Sequence, residues 1–263
     1  MANKNLIKDF KTLLDERGYE IANEMNITQE TPDEYSFAPT IYKNREVLVP
    51  FLCTIAVGLN TLDQNKQTIC YEIPFREELI IVQQFIVEII KTFLDNLKEK
   101  ELVSDWTLND RGRFEVKLAE DDKRRRFFRS EWAEFVFRYV IMKTVHTFCD
   151  VHKISHKVFN NVEYKRKGEN NLYGELDLVV QIQKHFYVFE VKSGPKINIM
   201  QWARRENALV DKTGLVRNIV CTIYDNIPAY IFEPQLLLNL SNIMTELRKI
   251  LEEDFSQMIS NQA

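Results

Sequence analysis

The chain has 263 residues, a formal net charge of −4, 28% charged residues, and only seven prolines and seven glycines. That composition is globular and excludes disordered, collagenous and low-complexity classes, while the acidic balance argues against a protein that coats nucleic acid by bulk attraction. The length suits one large core or two modest domains.

The opening stretch MANKNLIKDFKTLLDERGYE is charged throughout, and no run approaches the roughly 18 uncharged apolar residues of a membrane span. The expectation is a cytoplasmic protein without membrane association. Cys53, Cys70, Cys149 and Cys221 lie far apart with no CxxC pair, as expected of reduced thiols. Charge is uneven: Val151 to Val220 holds twelve Lys/Arg against seven Asp/Glu, a local +5 that leaves 23 against 32, or −9, elsewhere. Lys123-Arg124-Arg125-Arg126 and Arg129 lie just upstream, so a basic surface is expected around one site of an acidic molecule.

Residues 5–15 and 19–26 read as short helices broken at Gly18. The β-branched apolar run EVLVPFLCTIAVGL, from Glu46 to Leu59, and the later TICYEIPF read as two strands joined by a turn, with Pro50 suited to an edge. Leu79, Val82, Phe85, Ile86, Ile89, Ile90, Phe93 and Leu97 recur at helical spacing between Arg76 and Leu102, which predicts an amphipathic helix covering those strands. Ser104 to Arg113 reads as a polar interval, and Phe114 to Leu118 as a short strand.

The second half changes character. Ser130 is placed to cap a helix running to about Phe148, with Trp132, Phe135, Val136, Tyr139 and Val140 on its apolar face. Strands follow near Val158–Lys165, Gly174–Gln181 and Phe186–Val191, then a helix from about Asn198 to Val210, a strand at Arg217–Tyr224, and a helical tail between Pro234 and Met258. This order predicts a mixed α/β core, with residues 1–122 as an α+β N-terminal region and 123–263 as the second domain.

The chemistry-bearing segment is Gly174-Glu175-Leu176-Asp177-Leu178-Val179-Val180, then, after nine intervening residues, Glu190-Val191-Lys192-Ser193-Gly194. Strand alternation sends Glu190 and Lys192 to one face, and a turn at Gln183–His185 brings Asp177 near Glu190. Such a cluster is costly unless something pairs with the carboxylates. A hard cation such as Mg²⁺ does so through oxygen ligands, and suits phosphodiester hydrolysis by activating water and offsetting phosphate charge, with Lys192 positioning the water. After the tripeptide, Lys196, Gln201 and Arg205 are candidates for phosphate contact, Gln201 and Arg205 sharing a helix face at i, i+4. Tyr173 is a further substrate-contact candidate beside the strand.

This pattern resembles the PD-(D/E)xK, or restriction-endonuclease-like, nuclease superfamily, in which an aspartate ends one strand and a (D/E)xK tripeptide lies on the next. The form GExDxxV followed by FEVKSG is close to branches similar to archaeal Holliday-junction resolvases, Mrr-type restriction enzymes, RecB-like nucleases and CRISPR accessory nucleases. The resemblance covers roughly Ser130 to Tyr224, and departs from the usual form in having Leu176 where a proline commonly precedes the aspartate. It implies a restriction-endonuclease-like α/β core, a mixed central sheet flanked by helices. It implies Asp177 and Glu190 as metal ligands and Lys192 as the catalytic lysine. Glu134 in SEWAEFVF matches the helix glutamate that joins the metal site in those branches, with Glu131 as the near alternative. It further implies Mg²⁺ with Mn²⁺ substituting, a nucleic-acid substrate with DNA ahead of RNA, and a homodimer for duplex cleavage. A non-cleaving nucleic-acid-binding or regulatory scaffold is the alternative.

The chain carries its own decoy in Asp110 and Glu115-Val116-Lys117, which lacks the hydrophobic strand before the aspartate. A second rival is zinc: His146, Cys149, His152 and His156 fall within eleven residues, and the last three lie within about 60° on a helical projection, a weak ligand pattern.

Overall fold

The computed structural model describes residues 10–22, 33–61, 68–73, 80–110, 112–121, 125–193, 216–224 and 235–260. In chain order the elements are α1 (Phe10–Glu16), β1 (Tyr19–Ile21), α2 (Ala38–Lys43), α3 (Arg45–Thr61), β2 (Thr68–Glu72), α4 (Ile80–Glu99), β3 (Val103–Leu108), β4 (Arg113–Leu118), α5 (Trp132–His152), β5 (His156–Arg166), β6 (Leu172–Ile182), β7 (His185–Lys192), β8 (Val216–Thr222), β9 (Gln235–Asn239), α6 (Ile243–Asp254) and α7 (Ser256–Ser260). They form two compact units, one from Met1–Glu30 with Phe137–Ala263 and the other from Thr31–Val136. The helix expected at Asn198–Val210 lies outside the described residues.

The first unit is built on a six-stranded mixed sheet in the order β1-β5-β6-β7-β8-β9. Neighbours are antiparallel from β1 to β7 and parallel from β7 to β9. β7 sits inside the sheet, and its sequence HFYVFEVK buries six consecutive residues, the near-continuous apolar run expected of a strand covered on both faces. At one end α1 seats Phe10 against Phe159 and Phe186, with ring centroids 5.7 and 5.9 Å apart. The turn out of α1 needs Gly18 at φ 79°, a left-handed conformation that costs glycine nothing. After it β1 runs antiparallel to β5. Residues 19–21 are therefore strand, where the sequence reads as helix: three residues gain a sheet partner that local spacing does not reveal.

The second unit holds the antiparallel sheet β2-β4-β3, with α3 and α4 packed on it. The expected strand at Glu46–Leu59 is helix α3. Leu48, Phe51, Leu52 and Ile55 are buried at i, i+3, i+4, i+7, so the β-branched composition yields to a 3.6-residue period, and Pro50 is accommodated inside the helix. The expected polar interval holds most of strand β3, where Asp105 and Thr107 are exposed and Trp106 and Leu108 half-buried, after a register shift between Val103 and Asp105. On α4 the C-terminal half buries Ile90, Phe93, Leu94 and Leu97, whereas Val82 and Phe85, expected in the core, are exposed.

α5 begins after a π-helical turn at Phe127–Glu131, so Ser130 lies within a wide helical turn instead of capping. The tail is strand β9 followed by α6, so the expected continuous helix starts later, at Ile243. Among the described residues no helix is long and apolar enough to cross a membrane.

Candidate functional site

Asp177 lies on β6 and Glu190 and Lys192 on β7, and the two strands are antiparallel neighbours. Their ladder runs from Ile182↔His185 to Leu178↔Phe189, so Asp177 and Glu190 occupy the next step, where the pairing ends. There the Asp177 side chain takes over from the backbone: the Val191 N–H donates to Asp177 Oδ2 at 2.6 Å. Glu190 is buried, and Lys192, half in solvent, donates its ammonium to Glu190 Oε1. On the other side of β7, Glu190 is in register with Val220 and Lys192 with Thr222 of β8. The strand end thus presents two carboxylates and an ammonium from a rigid, paired backbone.

The negative potential of this corner extends further. Burial, then the nearby Asp177 and Glu190 carboxylates, push the fully buried Cys221 thiol well up. Glu175 is on the same face of β6 as Asp177, two residues away, and is directly opposite Glu163 of β5. Its carboxyl is held above the ordinary value by desolvation, then by Glu163 and Glu190. Glu163 was not singled out in the sequence; the available signal was its odd-numbered position in KVFNNVEYK, which follows strand alternation, but its partner depends on the β5–β6 register.

Glu134 and Glu131 belong to the second unit, where Glu131 pairs with Arg126 at 3.8 Å. Tyr173 is the extra residue of a bulge opposite Tyr164/Lys165. Its ring packs on Tyr19 and Tyr164, at 5.1 and 5.7 Å, under the Arg166 guanidinium. Lys196, Gln201 and Arg205 lie outside the described residues, as does Gly194. The decoy occupies a different setting: Glu115 and Lys117 are on the exposed side of β4, with Arg113 at 3.9 Å from Glu115. A cleft of about 380 Å³ in that unit, lined by Ile73, Gln83, Val87, Leu108 and Asn109 among others, contains none of the expected catalytic residues.

The donor set at Asp177 and Glu190 is hard oxygen, the type that suits Mg²⁺, an ion often held by one or two carboxylates with water in the remaining positions. Among the described residues no group of three or more His, Cys, Asp or Glu side chains is arranged to hold an ion. Two carboxylates suit an ion that keeps several of its waters. Of the zinc pattern only His146 and His156 meet: Cys149 is buried with its thiol pushed up to about 11 by burial, and His152 packs on Phe148 at 4.7 Å.

No family model matches the chain, and no curated protein matches it. Its fold is similar to protein VC1899 from Vibrio cholerae, with a TM-score of 0.55 and 15% identity over 94% of this chain and 61% of that one. It is also similar to Can2 from Sulfobacillus thermosulfidooxidans, solved in complex with cyclic tetra-adenylate, with a TM-score of 0.52 and 16% identity over 91% of this chain and 59% of that one. A type III CRISPR defence DNA nuclease activated by cyclic oligoadenylate aligns at a TM-score of 0.34 and 11% identity, over 82% of this chain and 24% of that one, too distant to support an argument. The chain spans about three fifths of the length of the first two proteins, and at these identities the likeness is one of fold.

Proposed function

We propose that Asp177, Glu190 and Lys192 form the cutting site of a metal-dependent nuclease of the PD-(D/E)xK type, with a restriction-endonuclease-like core, acting on DNA in preference to RNA. The observation that carries this reading is the end of the β6–β7 ladder, where Asp177 and Glu190 stand opposite each other and Lys192 pairs with Glu190. Bound Mg²⁺, or Mn²⁺ in its place, supplies a water of lowered pKa and offsets charge on the phosphate oxygens. Asp177, fixed by the Val191 N–H, and Glu190 would hold it, with Glu134 as the proposed third carboxylate. Lys192 orients the attacking water and stabilises the charge that develops on the phosphoryl oxygens. Lys196, Gln201 and Arg205 are proposed to grip the phosphate backbone, and Tyr173 to touch the substrate's edge. Two copies of the chain would supply the two sites that a duplex break requires.

The test is cleavage of circular single-stranded DNA, supercoiled duplex DNA and structured RNA with Mg²⁺ or Mn²⁺, comparing the native protein with Lys192→Ala and Asp177→Asn. Because Can2 was solved with cyclic tetra-adenylate, each reaction is run with and without that nucleotide. Cutting by the native protein alone supports the reading and selects the polymer. A folded native protein that neither cuts any substrate nor binds Mn²⁺ overturns it in favour of a non-cleaving scaffold.

A further inference from the structure

One side-chain cluster of the first unit takes no part in the proposed cutting site. Helix α5 ends at His152, and the chain reverses through Lys153, at φ 54°, with the Ile154 N–H donating to the Cys149 carbonyl at 2.9 Å. This tight reversal starts β5 at His156 and lays its ring beside His146, which is nearly two turns back on the helix. The two rings meet at a centroid separation of 4.5 Å and an angle of 79°, with His156 Nε2 and His146 Nδ1 only 3.0 Å apart.

We propose that His146 and His156 form a two-histidine chelate for a borderline divalent transition ion of the Zn²⁺, Ni²⁺ or Cu²⁺ class, separate from the carboxylate corner. Two imidazole nitrogens bound at about 2.1 Å to one ion stand about 3 Å apart at the right angle of a tetragonal Cu²⁺ or Ni²⁺ site and about 3.4 Å apart at the tetrahedral angle of Zn²⁺, so the observed separation needs only ring rotation and a small adjustment. Imidazole nitrogen favours these ions over Mg²⁺, which keeps the site chemically distinct from Asp177 and Glu190. Both rings are anchored on paired backbone, His146 within α5 and His156 opposite Ile182 in the β5–β6 ladder. Asp150, one helical turn beyond His146 and exposed, adds negative charge that favours a cation without being needed as a ligand. Water completes the coordination sphere, since His146 opens to solvent.

In the hydrogen-bonded pair one ring nitrogen donates to the other. On binding, the donating ring carries its proton on its other nitrogen instead, so both facing lone pairs bind the ion and the neutral pair releases no net proton. The ion then ties the end of α5 to the start of β5 and stabilises the folded state by mass action.

The experiment is calorimetric titration of the full, tag-free chain with ZnCl₂ and NiCl₂, with thermal unfolding in parallel. The variants are His146→Ala, His156→Ala, His152→Ala and Asp177→Ala. One equivalent should bind and raise the melting temperature. Affinity should fall about tenfold or more in His146→Ala and His156→Ala and stay within about twofold in the other two. The exposed His146 can be truncated without unfolding the chain, so it decides the matter if His156→Ala misfolds. Native protein that binds neither ion, or His146→Ala that binds as the native chain does, overturns the proposal. Loss on Asp177→Ala with retention in His146→Ala assigns the ion to the carboxylate corner instead.

Discussion

The Asp177 carboxylate accepts the Val191 backbone N–H at 2.6 Å, in the position a β6 carbonyl would hold if the β6–β7 ladder continued. One side chain therefore both closes the sheet and offers its second oxygen to the proposed site. The two roles separate by substitution. Asn keeps an oxygen acceptor for Val191 but removes the charge, whereas Ala removes both. Asp177→Asn should unfold within about 0.5 kcal/mol of the native protein and Asp177→Ala about 1–2 kcal/mol below it, while both abolish cleavage. Urea denaturation beside a cleavage assay checks this; an active Asn variant would remove Asp177 from the chemistry.

Lys192 is the cation on the Glu190 carboxylate, and Arg is not its equivalent. A planar guanidinium on a longer stem spreads its donors where an ammonium concentrates charge. Lys192→Ala and Lys192→Arg should both lower cleavage by about 10²–10⁴-fold, with stability changed by about 1 kcal/mol or less because the ammonium is partly solvated. Nucleic-acid binding measured without divalent ion should change far less than cleavage, and equal losses in both would point to substrate binding as the residue's role.

Gly174 opens the motif on β6, and a Cβ there would lie 2.9 Å from the Tyr164 hydroxyl and 3.1 Å from its ring. Tyr164 is fully buried, with its ring against those of Tyr19 and Tyr173. Gly174→Ala should cost about 1–3 kcal/mol through overpacking. The double variant with Tyr164→Phe should recover part of that loss, which thermal unfolding of the four proteins of the cycle would reveal.

The strands that carry the proposed chemistry were legible because their apolar runs are long and bounded by turns: β5, β6, β7 and β8 all lie where the pattern puts them, within two residues at each end. The same residues made Asp177, Glu190 and Lys192 visible together, since a nine-residue gap around a tight turn leaves little choice of register. Failures came where a longer-range partner decides. β1 and β9 are short edge strands defined only by β5 and β8, and Glu163 meets Glu175 only through the β5–β6 register. α3 failed differently: its helical period was present at Leu48, Phe51, Leu52 and Ile55, but Pro50 and the β-branched residues outweighed it. His146 and His156 are ten residues apart across a chain reversal, a pairing that a helical projection of the segment misassigns to Cys149 and His152.

Asp254, near the C-terminal end of α6, is the buried acceptor that joins this helix to the sheet. It takes the Tyr187 hydroxyl at 2.9 Å and the Arg217 Nε at 2.8 Å, with Arg217 Nη2 on its other oxygen. The burial of Tyr187 and the carboxylate beside it push that phenol up, so it stays a donor at any working pH. Asp254→Ala leaves both donors without their acceptor and should cost about 2–3 kcal/mol, whereas Tyr187→Phe removes one neutral donor and should cost about 1 kcal/mol. Chemical denaturation of the two variants tests the order, and a larger loss in Tyr187→Phe would mean that ring packing, not the ion pair, holds the helix.

His185 begins β7 with its ring edge-on to Phe255, centroids 4.9 Å apart. Burial holds its pKa below the ordinary 6.5; Lys184 and Arg217 add to the depression and Asp254 opposes it. The unfolded ring therefore takes up a proton at a higher pH than the folded one. Between the two values the unfolded state binds more protons, so stability rises with pH there. His185 contributes its full share above the unfolded value, and that share is lost as pH falls toward the folded one. His156, also depressed by burial first and by His146 next, acts in the same direction. His185→Phe keeps an aromatic ring against Phe255 and removes one of the two titrations. Urea midpoints taken between about pH 7.5 and pH 5.5 should drop less in this variant than in the native protein, with His156 contributing to the slope that remains. An unchanged slope would mean that the His185 ring accepts its proton as readily folded as unfolded.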